Sequence, residues 1–154
     1  MQLNSEIIIS DTSCLILLSK IDELALLNKL GRKVFITQII SREFGQKLPD
    51  FIKVMDPSDT HYQKILEMDL DEGEASAIAL SFELSNSILI LDELKGRRIA
   101  EKLQLRYSGT IGLILRAKQE GIISAIKPIL TKMRGTNFRF SERLLDTILE
   151  LAGE

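Results

Sequence analysis

The chain has very few of the side chains that build zinc sites, disulfides and nucleophilic active sites. Its 154 residues include one cysteine and one histidine. The single cysteine, Cys14, excludes an intramolecular disulfide, and no set of cysteine and histidine residues is present for structural zinc. The histidine, His61, lies in a segment that we expect to be an exposed helix, without the serine context of a nucleophile and its base. A glycine-rich loop of the kind that cradles phosphate is also missing.

Segments that direct a chain to or through a membrane are not found either. The first six residues lack the basic start of a signal peptide, and the apolar run 7–18 is short and interrupted by Asp11. We therefore expect a soluble, cytoplasmic protein with no membrane partner. The formal net charge of -2 excludes a highly basic coat protein, but not a nucleic-acid enzyme with clustered basic residues. With 45% hydrophobic residues and no repeats, residues 1–154 are predicted to form one domain.

Two largely apolar segments each lead into carboxylates. The first, 7–9, leads to Asp11, and the second, 87–91, leads to Asp92 and Glu93. Such segments are typical of parallel strands buried on both faces. Ligands bind at the carboxyl ends of strands in open α/β sheets, so these acids are predicted to face one crevice. For Asp11, the alternative is that it only caps the next helix.

The remaining pattern predicts an α/β fold, with a central parallel sheet of about four to five strands flanked by helices in three layers. The C-terminal helices, at about 125–152, are expected either to complete the core or to form an interface. The other predicted strands are 33–36, 51–55 and the edge strand 106–108. The predicted helices are 13–30 with a break near 20–22, 38–46 capped by Thr37, 58–68 capped by Ser58, 71–80, 94–102, 109–117, 125–134 and 141–152.

Two further acids stand in unusual positions on predicted helices. Glu43 falls on the same helix face as Ile39 and Ile40, where a carboxylate is costly unless it is compensated or reaches water at the rim. Glu74 follows Gly73 in the first turn of a helix, and capping by an acid three residues earlier explains part of this pattern. Capping does not explain a glycine at position 73. A glycine at this position suggests that backbone, metal or substrate approaches the helix closely.

Converging carboxylates favour a divalent metal site. The candidates are Asp11, Glu43, Glu74 and Asp92, with Glu93 as a close second at the last position. Their mutual repulsion would raise their pKa values, and a divalent cation removes that cost. Oxygen ligands alone favour Mg²⁺ or Mn²⁺, which can activate water and orient a phosphodiester.

A basic cluster follows the second pair of acids. Lys95, Arg97 and Arg98 lie at the start of the predicted helix 94–102. A solvated helix face is one interpretation of such a cluster. Its position beside the proposed site favours the other, which is contact with the phosphates of a nucleic acid.

The ordered set of these motifs resembles a PIN domain, and more narrowly a prokaryotic subgroup with Gly-Glu-Ala and Lys-Gly-Arg-Arg blocks. The resemblance covers about residues 6–120. Its motifs are Ile9-Ser10-Asp11-Thr12-Ser13, Glu43, Gly73-Glu74-Ala75-Ser76-Ala77-Ile78-Ala79-Leu80, Leu91-Asp92-Glu93, Lys95-Gly96-Arg97-Arg98-Ile99-Ala100 and Gly109-Thr110-Ile111-Gly112.

The resemblance implies a parallel sheet flanked by helices and cleavage of RNA that depends on Mg²⁺ or Mn²⁺. Many relatives are VapC-type toxins that a co-expressed antitoxin holds inactive, and they are often homodimers. By position, the metal-binding acids would be Asp11, Glu43, Glu74 and Asp92, as catalytic residues. Glu93 follows Asp92 directly, so either of the two could be the main metal-binding acid at the fourth position.

Thr12 or Ser13 would support Asp11, the first of these acids.

Two other functions remain open at this point: a catalytically silent module that binds RNA or protein, and a housekeeping nuclease for RNA processing.

Overall fold

A five-stranded parallel sheet lies at the centre of the structure, a computed structural model that describes residues 6–31 and 33–154. The strand order in the sheet is β3-β2-β1-β4-β5. The strands are β1 (Ile7–Ser10), β2 (Lys33–Ile36), β3 (Ile52–Val54), β4 (Ser87–Ile90) and β5 (Tyr107–Ser108). The predicted α/β fold with a parallel sheet is thus confirmed.

The two apolar strands with acidic exits are neighbours in this sheet. In β1, Ile9 pairs with Leu89 of β4, and Ser10 pairs with Ile90. The chain adds β2 and β3 on one side of β1 and then crosses to add β4 and β5 on the other side. The crossover creates a switch point between β1 and β4, which is where open α/β sheets form ligand crevices.

Helices connect the strands and cover the sheet. The first predicted helix is divided in two, as expected, by a break at Ile21 and at Asp22, whose φ is 57°. The helices are α1 (Thr12–Lys20), α2 (Ala25–Leu30), α3 (Gln38–Phe44), α4 (Thr60–Leu66), α5 (Glu72–Glu83), α6 (Leu94–Lys102), α7 (Thr110–Gln119), α8 (Lys127–Arg134) and α9 (Glu142–Leu151).

One helix start differs from the sequence-based prediction. Asp59, and not Ser58, caps α4, because the Asp59 side chain accepts a hydrogen bond from the backbone N–H of His61 at 3.0 Å. The Ser58 hydroxyl instead donates to Glu83 at the end of α5, at 2.8 Å. The cap position therefore moves by one residue, because a partner distant in sequence binds the serine.

The hydrophobic core includes both C-terminal helices. Met133 of α8 and Ile148 of α9 are buried with the residues of the sheet and of the preceding helices. Two residues of α9, Leu144 and Leu151, remain exposed. None of the helices in residues 6–31 and 33–154 combines the length and apolar character needed to cross a membrane.

Candidate functional site

Asp11 connects the ends of the two central strands. Its Oδ1 accepts a hydrogen bond from the backbone N–H of Cys14 at 2.8 Å, so it caps α1. Its Oδ2 accepts from the backbone N–H of Asp92 at 3.1 Å, just after β4. Only 5% of Asp11 is exposed. The residue therefore has both of the roles that the sequence left as alternatives: it is a helix cap, and it lies at the crevice between the strand ends.

An acidic cleft opens beside Asp11. Its volume is about 310 Å³. Five of the side chains that line it are carboxylates, and two are hydroxyls. The lining residues are Asp11, Thr12, Ser13, Glu43, Asp71, Glu74 and Glu93. Three of the four predicted acids thus lie in one cleft, together with both predicted supporting hydroxyl residues.

Glu43 reaches the cleft from α3 and lies over the start of α5. The Thr12 hydroxyl donates a hydrogen bond to Glu43 Oε1 at 2.6 Å. The same oxygen lies so close to Gly73 that a Cβ atom at position 73 would collide with it. A close approach therefore accounts for Gly73, and the approaching group is the Glu43 carboxylate.

Glu74 lies one residue further along α5 and is 9% exposed. A Cβ atom at Gly96 of α6 would stand 2.8 Å from Glu74 Oε2, so this glycine also makes room for a carboxylate. The hydroxyls of Thr37 and Ser76, 2.7 Å apart, connect the start of α3 to α5. This contact holds together the two helices that carry Glu43 and Glu74.

The fourth predicted acid is directed elsewhere. The Asp92 carboxylate accepts hydrogen bonds from the backbone N–H of Thr110 at 2.8 Å and from its hydroxyl at 2.5 Å. Its Oδ1 also lies 3.6 Å from a guanidinium nitrogen of Arg97. Asp92 therefore binds the start of α7, and the acid that lines the cleft at this strand exit is Glu93.

Two carboxyl groups of the cleft hold their protons unusually tightly. Burial, followed by the charge of Asp92, raises the pKa of Asp11 to about 7. Burial, followed by a hydrogen bond and the charge of Asp71, raises the pKa of Glu74 to about 8. Nearby negative charges in a poorly hydrated cleft favour either protonation or a bound cation.

The chemistry of the donors fits a hard divalent cation. Every potential ligand in the cleft is an oxygen, which suits Mg²⁺ or Mn²⁺. Gly73 and Gly96 leave room for two of the carboxylates, as described above. As they stand, however, no three histidine, cysteine or acidic side chains within residues 6–31 and 33–154 are grouped closely enough to hold a metal ion.

Comparison with known proteins identifies the family of the chain. A family model described as a PIN domain matches residues 7–154. The chain belongs to the PIN-domain family. PIN domains generally have the fold of metal-dependent nucleases, hydrolases that bind RNA and use divalent metals. No curated protein sequence matches the chain significantly.

The family match extends beyond the motifs of the sequence analysis. Those motifs ended near residue 120, whereas the match continues through α8 and α9 to residue 154. In this PIN domain the C-terminal helices are therefore part of the matched family region.

The basic cluster of the PIN domain is divided between two environments. Arg97 donates from Nε to the backbone carbonyl of Leu91 at 2.6 Å and lies beside Asp92, so it supports the loop after β4. Lys95 and Arg98 are exposed, and neither forms a salt bridge within the part of the chain that the structure describes.

Sequence reasoning missed two contributors to the site. Asp71, the acid three residues before Glu74, was identified only as a helix cap, yet it also lines the cleft and raises the pKa of Glu74. Thr110 was identified only as part of the motif at 109–112, yet it binds Asp92 through two hydrogen bonds. The spacing of three residues between Asp71 and Glu74 was an available signal for the first. Nothing local in the sequence indicates the second.

Proposed function

We propose that this PIN domain is an endoribonuclease that uses Mg²⁺ or Mn²⁺ to hydrolyse phosphodiester bonds of RNA. The observation that carries the proposal is the cleft at the β1–β4 switch point, lined by five carboxylates. The raised pKa values of Asp11 and Glu74 support it, because burial and neighbouring acids disfavour their ionised forms, and a bound cation would relieve that cost.

The residues proposed to hold the cation are Asp11, Glu43, Glu74 and Glu93. A bound divalent cation supplies activation of water and stabilisation of charge on the phosphate. Thr12 keeps Glu43 in place by the hydroxyl hydrogen bond described above. Asp92 contributes by holding Asp11 through its backbone N–H, and we propose a direct part in metal binding for its carboxylate only if it leaves Thr110.

The proposal is tested by RNA cleavage in Mg²⁺ or Mn²⁺. Asp11→Asn and Glu74→Gln should each abolish most of the cleavage that the wild-type protein shows. Glu101→Gln is the matched control, because Glu101 is an exposed acid of α6 that does not line the cleft. Cleavage by Asp11→Asn at the wild-type rate would exclude this cleft as the active site.

For the biological role, we propose the toxin of a type II toxin–antitoxin pair that acts in the cytoplasm as a homodimer of single-domain chains. The resemblance to VapC-type proteins supports this proposal. Expression of the protein alone should arrest growth, and co-expression of a small neighbouring reading frame should restore it. Normal growth without any such partner would favour a housekeeping nuclease. Sedimentation analysis would test the homodimer.

A second candidate is a catalytically silent module that binds RNA or protein. Two observations favour it: the acids are not grouped closely enough to hold a metal as they stand, and Asp92 is engaged with Thr110. Calorimetry distinguishes the two candidates. A nuclease should bind Mn²⁺ in roughly the micromolar to millimolar range of carboxylate sites, whereas a silent module should show no heat of Mn²⁺ binding.

A further inference from the structure

Two grooves lie near the acidic cleft, and one aromatic residue, Phe138, lines both. The smaller groove, of about 250 Å³, shares Ser13 with the cleft and is also lined by Lys20, Asn137 and Phe138. The larger groove, of about 650 Å³, is lined by Asn137, Phe138 and Arg139, and also by Asp92, whose backbone N–H binds Asp11 of the cleft. Residues 136–139, here called the Phe138 segment, therefore line two grooves: one shares a residue with the proposed nuclease site, and the other reaches the residue that is joined to Asp11.

The Phe138 segment is held in place by its own hydrogen bonds. The Thr136 hydroxyl donates to the backbone carbonyl of Met133 at 2.6 Å and accepts from the backbone N–H of Phe138 at 3.1 Å. Arg139 donates to the backbone carbonyl of Thr136 at 2.9 Å. The ring of Phe138 also packs against Phe140, with ring centroids 6.0 Å apart. A partly exposed aromatic ring is thus fixed in position before any ligand binds.

The charges along the two grooves differ from those of the cleft. The cleft is lined by carboxylates, whereas Lys20 lines the smaller groove and Arg139 lines the larger one. Arg97 also lines the larger groove, but Leu91 and Asp92 already bind it. Cations beside a partly exposed aromatic ring suit a nucleotide, because phosphate binds the cations and a base stacks on the ring. The larger groove also has the volume of a small-ligand site, roughly 300–1,000 Å³.

We propose that the Phe138 segment is a binding subsite for one unpaired nucleobase of an RNA strand that crosses the acidic cleft. The choice of RNA as ligand rests on the proposed function. A base in a duplex is already stacked and paired, so only an unpaired base can lie against the ring. The C-terminal part of the chain would then select single-stranded segments, while the acids of the cleft act on a neighbouring phosphodiester.

Tryptophan fluorescence tests the subsite directly, because the chain has no tryptophan. Phe138→Trp introduces a single reporter at the ring that lines both grooves. Titration with a single-stranded RNA oligonucleotide in EDTA should quench this reporter as a base stacks on it. Phe82→Trp is the matched control, because Phe82 is an exposed aromatic residue of α5 that lines neither groove nor the cleft, and its fluorescence should change little. Equal responses of the two variants would overturn the proposal.

Affinity measurements give an independent test. Phe138→Leu keeps apolar bulk but removes the ring, and should weaken oligonucleotide binding by roughly 5- to 150-fold, the range for one stacked base. Phe82→Leu, at an exposed aromatic residue outside both grooves and the cleft, should bind like wild type. Removing one base from the oligonucleotide should weaken binding to wild type at one position and leave binding to Phe138→Leu unchanged. Wild-type affinity in Phe138→Leu would overturn the subsite and leave the grooves open to a protein ligand.

The two proposals fail in different ways, because binding is measured in EDTA and cleavage with metal. A protein that binds RNA through Phe138 but never cleaves it would overturn the nuclease alone. An active nuclease whose RNA affinity does not depend on Phe138 would overturn only the subsite.

Discussion

The backbone N–H of Asp92 donates a hydrogen bond to Oδ2 of Asp11 at 3.1 Å and so joins the exits of the two central strands. At the same time, the Asp92 side chain is bound by Thr110. Asp92 thus orients another acid through its backbone and the start of α7 through its carboxylate. Glu93, which is exposed and lines the cleft, has neither of these contacts.

Because their contacts differ, a substitution of Asp92 should mainly lower stability, whereas a substitution of Glu93 should mainly weaken metal binding. Asp92→Ala should lower the free energy of unfolding by about 1–2 kcal/mol, because it leaves the N–H of Thr110 without its acceptor. Glu93→Gln should change stability by less than about 0.5 kcal/mol, as is usual for an exposed residue, and should weaken Mn²⁺ binding. Denaturant unfolding and calorimetry measure the two effects. Tight Mn²⁺ binding by Glu93→Gln would contradict the assignment.

The close contact between Gly73 and Glu43 predicts that Gly73→Ala impairs the site, although helix propensity alone favours alanine. Alanine is favoured over glycine by about 1 kcal/mol in a helix interior. Gly73 lies in the first turn of α5, where Gly73→Ala would ordinarily stabilise the helix by less than that. Here the added methyl group would displace the Glu43 carboxylate, and Mn²⁺ affinity and RNA cleavage should both fall.

Gly112→Ala is the control for this variant. A Cβ atom at Gly112 would stand 2.5 Å from the Ser108 hydroxyl, a close contact outside the acidic cleft. Its Mn²⁺ affinity should match that of wild type. A Gly73→Ala protein with unchanged Mn²⁺ binding would show that Glu43 is not a ligand.

The raised pKa values predict how stability depends on pH without metal. The folded state binds protons more tightly than the unfolded state at Asp11 and Glu74, whose pKa values rise from 3.8 to about 7 and from 4.5 to about 8. Their stabilisation is therefore present below about pH 4 and is lost as the pH rises toward 8. Thermal unfolding in EDTA should show this decrease, and Mn²⁺ should reverse part of it at pH 8.

Glu74→Gln isolates the contribution of one of these acids. Glutamine cannot ionise, so the variant should unfold at a higher temperature than wild type at pH 8 in EDTA, by roughly 3 °C or more. Near pH 4 the two proteins should be similar. Glu101→Gln should leave the pH profile unchanged, and an equal shift in that control would refute the explanation.

The exposed cations of α6 predict a change in the salt dependence of RNA binding. If Lys95 and Arg98 contact phosphates, the double variant Lys95→Gln/Arg98→Gln should lower the slope of log affinity against log salt by about 1.4 for single-stranded RNA. Arg97→Gln should act mainly on stability, since Arg97 supports Leu91 and Asp92. An unchanged slope in the double variant would mean that Lys95 and Arg98 are only a solvated face.

The position of an acid can be predicted from the sequence when a single strand end or a single helix face determines it. Asp11 follows a buried parallel strand, and Glu43 and Glu74 lie on helices whose apolar faces must cover the sheet, so the convergence of the three could be anticipated. The choice between Asp92 and Glu93 could not, because it depends on Thr110, which is distant in sequence. The Phe138 segment has no periodic pattern, and its position depends on packing beside the cleft.

Gly73 and Gly96 each lie against a carboxylate, so the residue at each glycine position limits the length of the acid that faces it. A relative with alanine at the position of Gly73 would have no space for a side chain as long as Glu43, and a shorter aspartate would suit it better. The same holds for Gly96 and Glu74. Side-chain length at each acid is thus matched to an empty volume on the adjoining helix, and a functional redesign of this cleft has to change both members of a pair together.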